Sequence, residues 1–215
     1  MVFCQSEKAN YYLDPEGNSY QYSYESLKYL HLNYKGYALG FRKVKDSGMI
    51  HQINAPIYLK YTTDYKKLKD SIEVITSIKY HDSTIFIIGY NYKDDNCSKI
   101  FSNNMTQGMI NERKKILNPI KRKIERKSNI VYLMLFENGI VLKNKPESEK
   151  EYFFLDKNNL FRKTLFIYPT VCGSEAIIKP KGQALIRNGE YRPDWMADHL
   201  KPDIWDKFFN NNDSK

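Results

Sequence analysis

The sequence predicts an α+β domain built mainly from antiparallel β-hairpins, with one long basic helix. Three observations carry this. Runs of β-branched and aromatic residues recur on either side of short polar turns, as paired strands require. A single stretch, residues 103–127, places apolar residues at helical spacing. Strand-like and helix-like segments do not alternate regularly, which argues against a doubly wound parallel sheet.

Taken in order, SYQYSY from Ser19 alternates like a strand, and YESLKYLH (24–31) reads as a short helix. KGYALGFRKV (35–44) and IHQINAPIYLKY (50–61) read as strands joined through Asp46-Ser47-Gly48. SIEVITSIKY (71–80) and TIFIIGYNY (84–92) flank His81-Asp82-Ser83 and predict a second hairpin. Met105, Met109, Ile110, Ile116, Leu117, Ile120 and Ile124 define the long helix, which Pro119 should kink or split. In VYLMLFENGIVLKN (131–144), Asn138-Gly139 suits a type I′ turn and gives the strongest hairpin signal in the chain. EYFFL, TLFIYPTV, EAIIK and QALIRN add short strands. The tail Arg192–Phe209, with two prolines and two tryptophans, reads as broken helix packed on the sheet, with Trp195 and Trp205 buried.

At 215 residues with 41% hydrophobic content, residues 1–215 read as a single folded domain. The net charge of +9 and a pI near 9.2 favour a polyanionic partner, nucleic acid first. No run approaches the ~20 apolar residues of a membrane span, and the N-terminus lacks the pattern of a secretory signal. Cys4, Cys97 and Cys172 are an odd, scattered set with no CxxC, which points to free thiols in a reducing, cytoplasmic compartment. Frequent Lys and Asn resemble the composition of a low-GC bacterium. Eighteen tyrosines suit half-wet sheet faces, and also stack on bases and contact phosphates.

Phosphate-binding loops, dinucleotide fingerprints, nucleophile elbows and paired-histidine metal spacings are absent from the sequence, so no metal or cofactor is expected. Glu175-Ala-Ile-Ile-Lys179 has the wrong spacing for a metal-dependent nuclease motif. Arg113, Lys114, Lys115, Lys121, Arg122, Lys123, Arg126 and Lys127 form the largest basic cluster, offset by Glu112 and Glu125. Such a run is either a solvated helix face or an element that tracks phosphates. YRPDWMADHLKPDIW gathers His199 with Asp194, Asp198 and Asp203 beside two tryptophans; a carboxylate near an imidazole fixes its tautomer and suits a general acid.

A basic chain rich in hairpins, with Tyr58 or Tyr61 on an early strand, then Lys143, then His199 and Asp203 near the end, resembles the PabI-type restriction enzymes, a half-pipe family of DNA glycosylases. Arg42 and Glu73 fit the family's early arginine and glutamate, and place its tyrosine at Tyr80 instead. The resemblance implies a curved, mainly antiparallel half-pipe sheet acting as a homodimer on double-stranded DNA. It implies metal-free, sequence-specific excision of a flipped adenine. Asp203 would stabilise the sugar cation or activate water, His199 and Tyr58 would position base and sugar, and Arg42 would hold a phosphate. Lys143 and the cluster at Arg113, Lys121, Arg122 and Lys123 would bind nucleic acid. The alternatives are a metal-independent ribonuclease or toxin, and a nucleic-acid-binding protein without catalysis.

Overall fold

A computed structural model describes residues 11–21, 23–44, 48–95, 103–126, 129–144 and 151–210. The architecture is mixed α and β, with open sheets. Six strands form the main sheet: β5 (Tyr58–Thr62), β6 (Ile85–Asn91), β8 (Ile130–Glu137), β10 (Phe153–Asp156), β11 (Ser174–Ile178) and β12 (Gln183–Asn188). Their order across the sheet is β10-β8-β6-β11-β12-β5. β6, β8 and β10 are mutually parallel, whereas β11, β12 and β5 continue the sheet antiparallel.

The parallel pairs explain why β6 and β8 carry almost unbroken apolar runs. Their residues are buried on both faces, so no period of two survives. A parallel pair also needs a crossover. Here it contains the 19-residue helix α3 (Gln107–Glu125), which starts at Thr106 and buries Ile110, Leu117 and Ile124. The helix runs through Pro119 without dividing in two.

Several expectations are corrected. Ser71–Tyr80 is no strand: Tyr65–Thr76 form helix α2. Asp64 accepts the Lys67 N–H at 3.0 Å, and Leu68, Ile72 and Thr76 are buried four residues apart. That cap and spacing override β-branched propensity. Asn138-Gly139 makes no hairpin either, because β6 and β10 already occupy both edges of β8. The chain beyond it, β9 (Val141–Leu142), pairs in parallel with β7 (Asn104–Met105). Thr164–Val171 is not a strand: the short helix α4 (Leu160–Thr164) leads into a loop anchored by fully buried Leu165 and Phe166. The turn expected at 46–48 lies mostly outside the described residues. The strands expected at EAIIK and QALIRN are present and pair as β11 and β12, and β3 (Tyr37–Val44) pairs with β4 (Gly48–Pro56), but the single strand expected over 50–61 is divided, since β5 starts at Tyr58 and belongs to the main sheet. A curved antiparallel half-pipe is not the arrangement found.

The β3–β4 hairpin joins β1 (Tyr11–Leu13) and β2 (Ser19–Gln21) in a second sheet, ordered β2-β1-β4-β3. With helix α1 (Tyr24–Asn33) this sheet has its own small core of Tyr12, Leu30 and Ile53. It meets the main body where the Phe41 N–H donates to Pro169 O and the Val171 N–H to Leu39 O, both at 3.0 Å. The chain closes with α5 (Pro193–Asp198) and α6 (Pro202–Phe209). Trp205 is 4% exposed, but Trp195 is 49% exposed, against the expectation that both are buried. Among the described residues no helix is long and apolar enough to cross a membrane.

Candidate functional site

The carboxyl ends of parallel strands leave a crevice where loops converge, the usual place for chemistry in such sheets. At that end of β6 the chain turns through Lys93 and Asp94 to the fully buried Asp95. Facing it is the turn Thr170–Gly173 that feeds β11. Cys172 sits there in the left-handed region, φ 63°, followed by Gly173 at φ 88°. A Cβ on Gly173 would lie 2.5 Å from Tyr90 O, so only glycine lets the turn press against β6. The Cys172 N–H donates to Asp95 Oδ1 at 2.8 Å. Thr170 Oγ1 accepts the Gly189 N–H at 3.0 Å, and Ser174 Oγ lies 3.0 Å from Tyr92 OH. The turn is thus fixed from both flanking strands.

Cys172 is disulfide-bonded, to a partner outside the described residues. The reading of three free thiols is corrected on this point. An odd cysteine count excludes a fully paired framework but not one pair with one thiol left over.

Beside Cys172 opens a cavity of about 780 Å³ between the main sheet and α3. Its floor is Gly89, Met134 and Glu175, consecutive partners across β8, β6 and β11. A Cβ on Gly89 would lie 2.9 Å from Glu175 Oε1 and 3.0 Å from Tyr132 OH, so the glycine makes room for both polar groups. Glu175 is 6% exposed, and its Oε2 has no hydrogen-bond partner. Burial pushes its carboxyl well above the usual carboxylate range, against the opposing pull of Arg113. Burial likewise raises the Tyr132 phenol. Arg113 reaches in from α3, donating to Asn91 Oδ1 at 2.8 Å with its guanidinium 5.9 Å from the Phe136 ring centre.

The structure brings together two of the residues singled out in the sequence. Tyr58 on β5 and His199 after α5 meet at 3.0 Å between the hydroxyl and Nε2. His199 Nδ1 lies 3.0 Å from Trp195 O, which can only accept. Neutral His199 therefore carries its proton on Nδ1, and Tyr58 donates to Nε2. Arg187, the cross-strand partner of both Glu175 and Tyr58, lies over the rings of Tyr58 and Tyr191. Tyr191 borders the cavity, so this cluster adjoins it. Asp203 is exposed in the first turn of α6, and no hydrogen bond joins it to His199. Tyr61 lies three residues further along β5, opposite Ala184, and so falls on the other face of the strand from Tyr58. Tyr80 lies edge-on to Phe86, remote from β5 in the sheet order.

Arg113 excepted, the basic residues singled out in the sequence do not line that cavity. Arg42 is exposed on the small sheet, and Lys143 follows β9. On α3, Lys114 pairs with Glu151 and Lys115 with Glu112, Lys121 pairs with Glu125, and Lys123 lies 3.3 Å from Asp194. Arg122 Nε donates to Asn118 O at 3.4 Å. Lys127 lies outside the described residues. No group of three or more His, Cys, Asp or Glu among the described residues is placed to hold a metal ion.

Sequence reasoning took Cys172 for a free thiol and weighed Glu175 only in a nuclease motif that its spacing rules out, so neither was named as a site residue. The available signal was an acid opening the otherwise apolar strand Glu175-Ala-Ile-Ile, next to Cys172-Gly173. A charge inside a doubly buried strand is costly unless it is used.

No protein-family model matches the sequence, and no curated protein does so. Two solved structures are similar. One is the N-terminal domain of PilB from Neisseria gonorrhoeae, at 13% identity and a TM-score of 0.38, covering 63% of this chain and 92% of that one. The other is the exposed lipoprotein thioredoxin of Streptococcus pneumoniae, at 12% identity and a TM-score of 0.36, covering 76% and 98%. Overlaps this slight carry no functional argument. The resemblance drawn from sequence is corrected by the sheet itself, which is mixed and not the curved antiparallel half-pipe that the resemblance implied. With the parallel core of the sheet, this overturns the reading as a DNA restriction glycosylase and leaves its ribonuclease and nucleic-acid-binding alternatives without support.

Proposed function

We propose that this chain exchanges disulfides with a thiol-bearing partner at Cys172. The observation that carries the reading is the place of the disulfide-bonded Cys172: half-buried, at the carboxyl end of the parallel strands, on the wall of the cavity. Accessible disulfides are the labile ones, whereas structural bridges resist reduction. The fixed turn holds the sulfur in place, so attack needs no rearrangement of the backbone.

The chemistry balances with an external thiol. A partner thiolate attacks one sulfur of the bridge; a mixed disulfide forms and one protein thiolate leaves and takes up a proton. A second partner thiol then resolves the mixed disulfide, so the protein ends as a dithiol and the partner as a disulfide.

The test is differential alkylation followed by peptide mass mapping. In protein isolated without reductant, Cys172 should resist labelling. Dithiothreitol should free it while the protein stays folded, and oxidised glutathione should restore the bridge. If Cys172 becomes labelled only after denaturation, the disulfide is a structural staple and the reading fails.

A further inference from the structure

The cavity beside Gly89 has a second chemistry that does not involve sulfur. Arg113 places a guanidinium on its wall, and Asn91 Oδ1 occupies one of its donors at 2.8 Å. The ion pairs among the described residues include none to Arg113. Burial acts most strongly on its guanidinium, and Tyr132, Glu175 and Asp95 lie within electrostatic range without forming such a pair. A part-buried cation lacking a paired carboxylate is costly in the empty protein, since buried charges are ordinarily paired. Across the floor stands Glu175, 6% exposed, with one carboxyl oxygen unpartnered. A carboxyl kept neutral by burial donates one hydrogen bond.

The remaining walls are apolar. Met105 and Met134 are 4% and 3% exposed, and Leu117 lies beside them. Methionine adapts its shape to a chain-like guest. Ile116, 70% exposed, stands at the mouth. Of the acids on the rim, Glu112 is neutralised by Lys115 at 2.5 Å, while Glu190 is open to solvent. A cavity of about 780 Å³ is of the size that encloses small organic ligands.

We propose that this cavity binds a monocarboxylate with an aliphatic chain, its carboxylate between Arg113 and Glu175 and its chain against Met105, Met134 and Leu117. The ligand's charge would supply the missing partner of Arg113, and Glu175 would donate to the second carboxylate oxygen. This inference uses neither sulfur nor exchange chemistry, so it stands or falls separately from the function proposed for Cys172.

Titration calorimetry with three probes tests it. Decanoate carries both features, decanol keeps the chain without the charge, and acetate keeps the charge without the chain. Decanoate should bind, and both others should bind at least about tenfold more weakly, the scale of a hydrogen bond to a charged group. Arg113→Gln should weaken decanoate by a similar factor, with Arg113→Lys in between. Ile116→Trp, at the exposed mouth, should obstruct binding while leaving the polar groups intact, and it serves should Arg113→Gln fail to fold. Equal affinity for decanol and decanoate overturns the assignment of the carboxylate. Absence of decanoate binding by the wild-type chain, or full binding by Ile116→Trp, overturns the site.

Discussion

Two residues in the crevice show how a single side chain, or its lack, sets the local energetics. Gly173 combines a left-handed φ of 88° with a 2.5 Å approach to Tyr90 O, while Gly36 has open space around it. Gly173→Ala should therefore cost about 1–3 kcal/mol in denaturant unfolding. Gly36→Ala should lie within about 0.5 kcal/mol of wild type. Equal effects would remove the steric account of the turn. Glu175 makes a prediction in pH. In the folded chain its carboxyl is held well above the ordinary value of about 4.3. Above that pH the folded state keeps a proton that the unfolded state has lost. The stability associated with this group is complete below about pH 4.3 and declines as the pH rises toward the folded value. Glu175→Gln removes that decline, so its stability relative to wild type should improve from pH 4 to pH 7. A difference independent of pH would show that Glu175 is ionised in the fold.

At the scale of an element, helices α2 and α3 carry the information that the residue pattern obscured. Glu73 ends α2 with a buried carboxylate bound by Lys79 Nζ at 2.5 Å and by the Tyr80 N–H at 3.0 Å. The Lys79 bond and then the Tyr80 bond hold its carboxyl down at about 2. Here the folded state binds fewer protons, so the stabilisation is present above about pH 4.3 and is lost as the pH falls toward 2. Glu73→Gln should lower the melting temperature at pH 7 and converge with wild type near pH 2. In α3, Pro119 lies within the helix and is exposed. It withholds one backbone donor, so Pro119→Ala should stabilise the chain, by up to about 3 kcal/mol if the backbone is otherwise regular. A loss of stability there would mean that a bend at Pro119 is needed for packing.

For the whole molecule, two cores of unequal size imply unequal local stability. The main core joins both faces of the six-stranded sheet to α3, whereas the small sheet rests on Tyr12, Leu30 and Ile53. Hydrogen exchange should show β6, β8 and β11 protected to near the global unfolding free energy. β1 and β2 should exchange through a lower-energy opening. Uniform protection across both sheets would contradict this hierarchy.

Local chemistry made several elements legible before any fold was known: α1, the run of β6, the helix around Met109–Ile124, the hairpin β3–β4 and the strands β11 and β12 all follow from spacing and turn residues. It also marked Tyr58 and His199, though nothing in the sequence could say that residues 141 positions apart would share a hydrogen bond. What tertiary structure alone decided was the partner of each strand. The apolar run of β8 reads the same whether Asn138-Gly139 turns it back or β6 and β10 flank it in parallel, because a strand buried on both faces has no period to reveal its neighbours. The same choice set the site. Once β6 and β8 run parallel and β11 enters against them, Cys172, Glu175 and Arg113 border one cavity. The sequence by itself determined their chemical types; their burial and their distance from one another arise from contacts between segments far apart in the chain.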